Sequence, residues 1–597
     1  MQVKLADLYS RVGQYAEARR LAGEVLQQES DGAVEAEASL ILGTCAAETD
    51  AVDQAEEYFH RAAEISRRIN DINLLGRSLH ALASSVYLTR GQFQLALVTA
   101  ENAAQFIQEA GQTHWGLPFL KAYIYQITGD HLRVRKALDE LLPLVKPATQ
   151  VAGGYYFLWA RLSLDEEELE KAEEYLRLAL RIANHLGTPD LNIWVRMEYS
   201  RYYRLTNLAP VARTWAADAT HYAQRTGKRY LYGITLIENA QAAWETGDSA
   251  SAESDLKEAL EVLGKCGAAY DVARASLLLA ANYQLQKDPA ATQAWITAAE
   301  QILGGGYAFI LERERTLAFP LVVSHMRSRN KHALKLAEQL MEQLARVAPP
   351  RLRIKGLGQF KVWQGRRSIP DQSWQRRKAG ELLRCLLLEP DHSASREEVL
   401  EELWPDYTPS TAIDLLHQAT STLRHTLEPD LPDRFPSRYL WLDGERVYLQ
   451  LPPGSWIDFE HFEQTLPTAI QTRNIENLKQ ALSIYSGELF PMDRYTDWSI
   501  SRRESLNDLY LRGLLTLGDA YYKNQQYPEA LACVRRSLER DPWNEDAVLL
   551  GMKIYASLQD VPHAQQLYER LKKTLKQDLD IGPRADLRQL AEQLRQR

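Results

Sequence analysis

Hydrophobic positions recur at helical spacing along most of this chain, and the helices they predict come in pairs. Over roughly the first 345 residues, a large apolar or aromatic helix leads to a small polar turn, and a second helix then opens with alanine. The signature stands at Gly13-Gln14-Tyr15-Ala16-Glu17-Ala18 and again at Gly91-Gln92-Phe93-Gln94-Leu95-Ala96. Looser copies are Asp53-Gln54-Ala55, Gly129-Asp130, Leu169-Glu170-Lys171-Ala172, Asn207-Leu208 and Gly247-Asp248-Ser249-Ala250-Ser251-Ala252. Gly or Asp supplies the stop and tight turn, and the small Ala lets the second helix lie close on the first.

Successive turns fall roughly 37 to 41 residues apart, longer than the ~34 of a standard tetratricopeptide repeat. About eight such pairs are expected, stacking into a superhelix because one hairpin cannot bury its apolar face alone. Tyr9, Tyr87, Tyr125 and Trp159 hold matching places as wedges between neighbours. Tyr155, Tyr156, Trp159, Trp194, Tyr199, Tyr202 and Tyr203 form an aromatic middle. The plain reading is packing between repeats; the sharper one is a groove for an effector or protein ligand that the sequence does not identify.

The pattern changes at Leu352. Short alternating runs, Leu352-Arg353-Ile354-Lys355 and Phe360-Lys361-Val362-Trp363, predict strands. A first helix is expected over Arg377–Leu388, with Leu382, Leu383, Leu386 and Leu387 on one face. Ser395-Arg396-Glu397-Glu398 is a capping box opening a second helix that Pro405 ends. A third runs from about Thr411 to Leu427, its apolar face Leu415, Leu416, Ala419, Leu423 and Leu427 opposed by polar Asp414, His417, Gln418, Ser421, Arg424 and His425. Tyr439–Leu442 and Arg446–Leu449 flank Asp443-Gly444, a tight-turn dipeptide, and predict a β-hairpin. Strands, three helices and a terminal hairpin describe a winged helix, which places one helix in the DNA major groove.

Charge sharpens that reading. The chain carries a formal net charge of −9, so DNA contact must come from a local patch. Between Arg351 and Lys378 there are nine Lys or Arg and one acidic residue, Asp371, after which Glu397, Glu398, Glu401, Glu402, Asp406 and Asp414 reverse the sign. A basic entry suits phosphate and an acidic middle suits a protein partner. The expected DNA contacts are Arg376, Arg377, Lys378, His417, Gln418, Ser421, Arg424, His425 and, on the hairpin, Arg446. Gln pairs with adenine and Arg with guanine, which singles out Gln418 and Arg424.

These residues resemble the OmpR-type winged helix of SARP-family transcriptional activators. The resemblance rests on Ile354 … Leu357-Gly358 … Phe360 … Val362, on Trp374 … Arg377-Lys378-Ala379, and most specifically on Ser395-Arg396-Glu397-Glu398-Val399-Leu400 … Leu403-Trp404-Pro405-Asp406 followed by Ser421-Thr422-Leu423-Arg424 … Leu427. The hairpin departs from the family pattern at Gly444-Glu445-Arg446-Val447-Tyr448-Leu449. Beyond it, Trp456-Ile457-Asp458-Phe459, Tyr485-Ser486-Gly487-Glu488-Leu489-Phe490 and Trp498 … Arg502 … Leu506 … Tyr510 look like the bacterial transcriptional activator domain, itself built of tetratricopeptide-like helices. The resemblance implies binding to tandem direct repeats near a promoter and recruitment of RNA polymerase. It places the polymerase or sigma-factor contact on the loop holding Trp404, Asp406 and Tyr407.

The expectation is therefore a mainly α protein in three parts: a tetratricopeptide-like arm over residues 1–348, a central α+β winged helix-turn-helix domain over 349–454, and a C-terminal helical-repeat domain over 455–597. Its C-terminal part is expected to support a homodimer or to position the winged helix. No HExxH, GxSxG, GxGxxG or GxxxxGK[ST] motif is present, so neither an enzyme nor a nucleotide switch is expected. Cys45, Cys266, Cys385 and Cys533 lie too far apart for a zinc or disulfide pattern, so no metal or cofactor is expected. No apolar stretch suits a membrane span, which leads to a cytoplasmic expectation. The helical pattern begins at the fifth residue without a lead-in, as if an upstream nucleotide-binding domain preceded it. The rival expectation is a repeat scaffold whose winged helix binds protein instead of DNA.

Overall fold

The computed structural model describes residues 2–11, 13–27, 31–49, 51–365, 367–375, 378–432 and 435–596. The protein is mainly helical, with small β-sheets in its middle, and divides into two compact units. One comprises Met1–Pro349 with Asp430–Pro436, the other Pro350–Pro429 with Ser437–Arg597.

The first unit is a stack of helical hairpins, nine among the described residues, running from the pair Gln2–Arg11 and Tyr15–Gln27 to the pair Arg315–His325 and Lys331–Leu344. Ala18, Ala55, Ala96, Ala172, Ala212 and Ala252, one in each of six second helices, are 0% exposed. A larger side chain there would push the paired helices apart. The aromatic middle packs between repeats: Tyr155, Tyr156, Trp159, Trp194, Tyr202 and Tyr203 lie half-buried against one apolar core, and Tyr199 is inside it.

The stack also folds back on itself. Phe93 meets Tyr270 edge-on at 5.2 Å between ring centres, and the Tyr307 hydroxyl donates to the Gly91 carbonyl at 3.3 Å. Gly91 (φ 72°) is required here, since a Cβ would stand 2.8 Å from that of Tyr270. Lys228 pairs with Asp190 at 2.9 Å and with Glu48, which lies 180 residues away.

A ladder of buried ion pairs joins the first helices of successive hairpins. Arg161 pairs with Glu198 at 3.0 Å, Arg204 grips Glu238 through two hydrogen bonds of 3.0 Å, and Arg274 pairs with Glu314 at 2.7 Å. Gln241 bridges the last two rungs, accepting from Arg274 at 3.0 Å and donating to Glu314 at 2.9 Å. Such pairs add little net stability, but a wrong stacking register would leave each charge buried alone.

The second unit opens with β1 (Leu352–Lys355), β2 (Lys361–Gln364) and β3 (Arg367–Ser368), an antiparallel run whose alternate residues Leu352, Ile354 and Val362 are buried. Three helices follow, Ala379–Leu388, Arg396–Leu403 and Pro409–Leu427, with the short strand β4 (Ser393–Ser395) between the first two. Next come β5 (Leu440–Leu442) and β6 (Arg446–Leu449), which with β4 form a three-stranded antiparallel sheet of order β4-β6-β5. The first sheet is completed by β7 (Trp456–Ile457), parallel to β1 with Ile354 opposite Ile457, giving the order β3-β2-β1-β7.

From β7 the chain passes straight into Asp458–Thr472 and the remaining helices, ending with Ala585–Arg595. One apolar core runs from Leu352 through Leu423 and Phe459 to Leu517. Two polar clasps reinforce it. The Asp458 carboxylate accepts from the Gly356, Leu357 and Phe459 amides at 2.7, 3.0 and 2.8 Å, and Arg384 forms a buried two-pronged pair with Asp493.

Candidate nucleic-acid interface

The candidate interface is built on the helix Pro409–Leu427. Pro409 stands at its start, where a missing amide costs nothing, so the helix begins earlier than the sequence pattern predicts. Ala412, Leu416, Ala419, Leu423 and Leu427 are buried, while Asp414, His417, Gln418, Ser421 and His425 are exposed and Arg424 is half-buried. At the far end, Arg367 donates to the Thr426 carbonyl at 3.1 Å, placing a cation at the negative end of the helix dipole.

The preceding helix is fixed by its cap. Ser395 Oγ accepts from the Glu398 amide at 3.1 Å, and the Glu398 carboxylate accepts from the Ser395 amide at 2.8 Å, which also holds that carboxyl below its usual range. Arg396 then ties the helix to the hairpin turn, its amide donating to the Glu445 carbonyl at 2.7 Å and its guanidinium to the Gly444 carbonyl at 3.0 Å. In the turn itself, the Asp443 carboxylate takes the Glu445 and Arg446 amides at 3.2 and 2.9 Å.

Three expected contacts are engaged inside the protein. The Lys378 ammonium donates to the Leu403 carbonyl at 2.6 Å and pairs with Glu381 at 3.2 Å, so it joins the first helix to the end of the second. Lys378 also takes φ 55°, which starts the first helix at Ala379 rather than at Arg377. Arg446 does not project from the hairpin: its guanidinium donates to the Ser393 carbonyl and hydroxyl at 3.1 and 3.0 Å. Trp404 is 4% exposed and belongs to the core, while Asp406 and Tyr407 of the same loop are exposed. Arg376 and Arg377 lie outside the described residues.

Two features were not singled out from the sequence. Trp441 and Tyr448, directly opposite in the β5–β6 register, stack at 4.4 Å on the hairpin, and Trp441 is 48% exposed. The Asp443-Gly444 turn, which sets that register, is the signal that pairs them. On the acidic side, partial burial raises the Glu402 carboxyl, and the charges of Asp497 and Glu401 add to it. The basic entry is spread over aromatic faces: Arg353 lies 5.4 Å from the Trp456 ring centre and 5.8 Å from that of Trp363.

Residues 457–595 match the bacterial transcriptional activator domain. This activator domain begins at β7 and contains every helix that follows. Residues 3–68 match a tetratricopeptide repeat, the first two hairpins of the arm. No curated protein matches the chain. Among solved structures it is similar to EmbR of Mycobacterium tuberculosis in complex with a low-affinity phosphopeptide, at 20% identity over 41% of this chain and 65% of that one, with a TM-score of 0.36. The chain thus spans 65% of the length of the EmbR chain. It is also similar to NprR in complex with its cognate peptide NprX (12% identity, 57% and 98% coverage, TM-score 0.41) and to a signal-transduction ATPase of Pyrococcus horikoshii with a tetratricopeptide repeat sensor (19% identity, 54% and 48% coverage, TM-score 0.36). Likenesses at this level say nothing about function. No helix among the described residues is long and apolar enough to cross a membrane.

Proposed function

We propose that this chain is a sequence-specific DNA-binding transcriptional activator of the SARP type, acting in the cytoplasm. Residues 349–454 serve as an OmpR-type winged helix, 455–597 as the activator domain, and 1–348 as a sensor or docking arm. The observation that carries this reading is the helix Pro409–Leu427, whose exposed polar face rides on a buried apolar one in the same compact unit as the activator-domain match. Gln418 and Arg424 read base edges, His417, Ser421 and His425 line the groove beside them, and the targets are promoter direct repeats. Asp406 and Tyr407, beside the crowded glutamates, face RNA polymerase or its sigma factor. A homodimer would match two half-sites.

The reading is tested by titrating the full chain against its own upstream promoter region at several salt concentrations. Arg424→Ala is expected to relax discrimination by roughly 1–3 kcal/mol while leaving the salt dependence nearly intact. Arg377→Ala is expected to weaken all sequences alike and to flatten the salt slope by about one. The internal engagement of Lys378 and Arg446 favours a second reading, a scaffold whose winged helix binds protein. Binding that ignores both substitutions decides for the scaffold.

A further inference from the structure

The ion-pair ladder of the arm matches each of its arginines to a carboxylate, and two charges beside it are left over. Arg161 faces Glu198, Arg204 faces Glu238 and Arg274 faces Glu314, while Arg201 donates to Asp165 in the same way. The two left over are Arg313 and Asp271. The half-buried Arg313 takes part in no hydrogen bond or ion pair among the described residues. Asp271, buried, accepts from the Tyr230 hydroxyl at 3.1 Å and has no ion pair among them. Proteins ordinarily pair the charges they bury, so a cation and an anion both left open call for an explanation.

The two stand on facing elements. Phe309 opens the short helix Phe309–Arg313 and stacks on Tyr270 at 5.8 Å, while Glu314 pairs with Arg274 at 2.7 Å. Tyr270, Asp271 and Arg274 share one helix, so these two contacts bracket Arg313 and bring it towards Asp271. The charge of Arg313 is felt along the row. Burial raises the carboxyls of Asp165 and Glu314, yet Arg201 and Arg274, with Arg313 beside them, hold both below their usual range. Burial raises Asp271 too, and there Arg274, the Tyr230 hydroxyl and Arg313 offset it only in part. The row is open to water, since the side chains of Arg201 and Arg274 keep 21% and 17% of their surface exposed.

We infer that Arg313 and Asp271 form a binding site for a small zwitterion of the amino-acid or short-peptide class, Arg313 taking its carboxylate and Asp271 its ammonium group. A guanidinium with its fork of donors unused is a ready receptor for a carboxylate, which it can hold through two parallel bonds. A zwitterion supplies both of the charges that the ladder leaves unmatched. A simple anion would satisfy Arg313 but set a second negative charge before Asp271, and a simple cation would do the reverse. The binding belongs to the arm alone; its reading as a signal rests on the sensor role proposed above.

Isothermal titration of the full-length protein near neutral pH tests the site. The probes are the standard L-amino acids and glycylglycine, with acetate as the anion alone and methylammonium as the cation alone. At least one zwitterion is expected to saturate a single site per chain, roughly tenfold or more tighter than acetate or methylammonium. Arg313→Gln and Asp271→Asn are each expected to weaken that binding by roughly tenfold or more. Should Arg313→Gln prevent folding, as judged by circular dichroism, Arg313→Lys serves in its place; it keeps the charge but loses the fork, and a weaker, still measurable affinity is expected. Saturation by none of the zwitterions, binding no tighter than that of acetate or methylammonium, or binding that ignores the substitutions overturns the inference. Because binding is read without DNA, a zwitterion held at this site that leaves promoter binding unchanged would count against the sensor role alone. Promoter binding by a protein that takes up no zwitterion would count against the site alone.

Discussion

Asp271 shows how far one buried side chain can tilt the stability of the arm. It is 8% exposed, accepts from the Tyr230 hydroxyl at 3.1 Å, and burial pushes its carboxyl up to about 6. A carboxyl raised on folding favours the folded state in its protonated form. The cost of ionising it is therefore absent below the ordinary carboxylate range and complete above pH 6. Arm stability is expected to fall by roughly 2–3 kcal/mol between about pH 4 and pH 7 on account of this group. Asp271→Asn, which keeps an acceptor for Tyr230, should remove that part of the slope when denaturant midpoints are compared across pH. An unchanged slope would mean that the carboxylate is already ionised and solvated in the fold.

Periodicity made much of this protein legible at the scale of elements. Ala18, Ala55, Ala96, Ala172 and Ala252 are buried where the repeat pattern puts them, and the exposed face of the Pro409–Leu427 helix follows its 3.6-residue spacing. The capping box forms both of its hydrogen bonds, so Ser395→Ala should cost about 1 kcal/mol, read as a lower denaturation midpoint of the second unit. The strands β4 and β7 were illegible because two or three residues carry no alternation; their pairing with β6 and β1 decides them. The interface was legible as a face but not as a set of contacts. Trp404 reads as available but is buried, and Lys378, which stays exposed, also donates to the Leu403 carbonyl, 25 residues along.

At the scale of the molecule, the central part that the sequence suggests is expected not to stand alone. A fragment of residues 349–454 lacks β7 and Asp458, and so loses the parallel neighbour of β1 and the acceptor for the Gly356 and Leu357 amides. It should aggregate or unfold, while a fragment extended through the activator domain keeps its second-unit core. Sedimentation and thermal melts of the two fragments check this, and a stable monomeric 349–454 fragment would refute it. The clasp at Asp458 has a mechanical meaning as well. A hinge needs a few residues free to swing, and none separates β7 from the helix Asp458–Thr472. The helix Asp458–Thr472 is therefore expected to move with the first sheet as one piece rather than to swing from it.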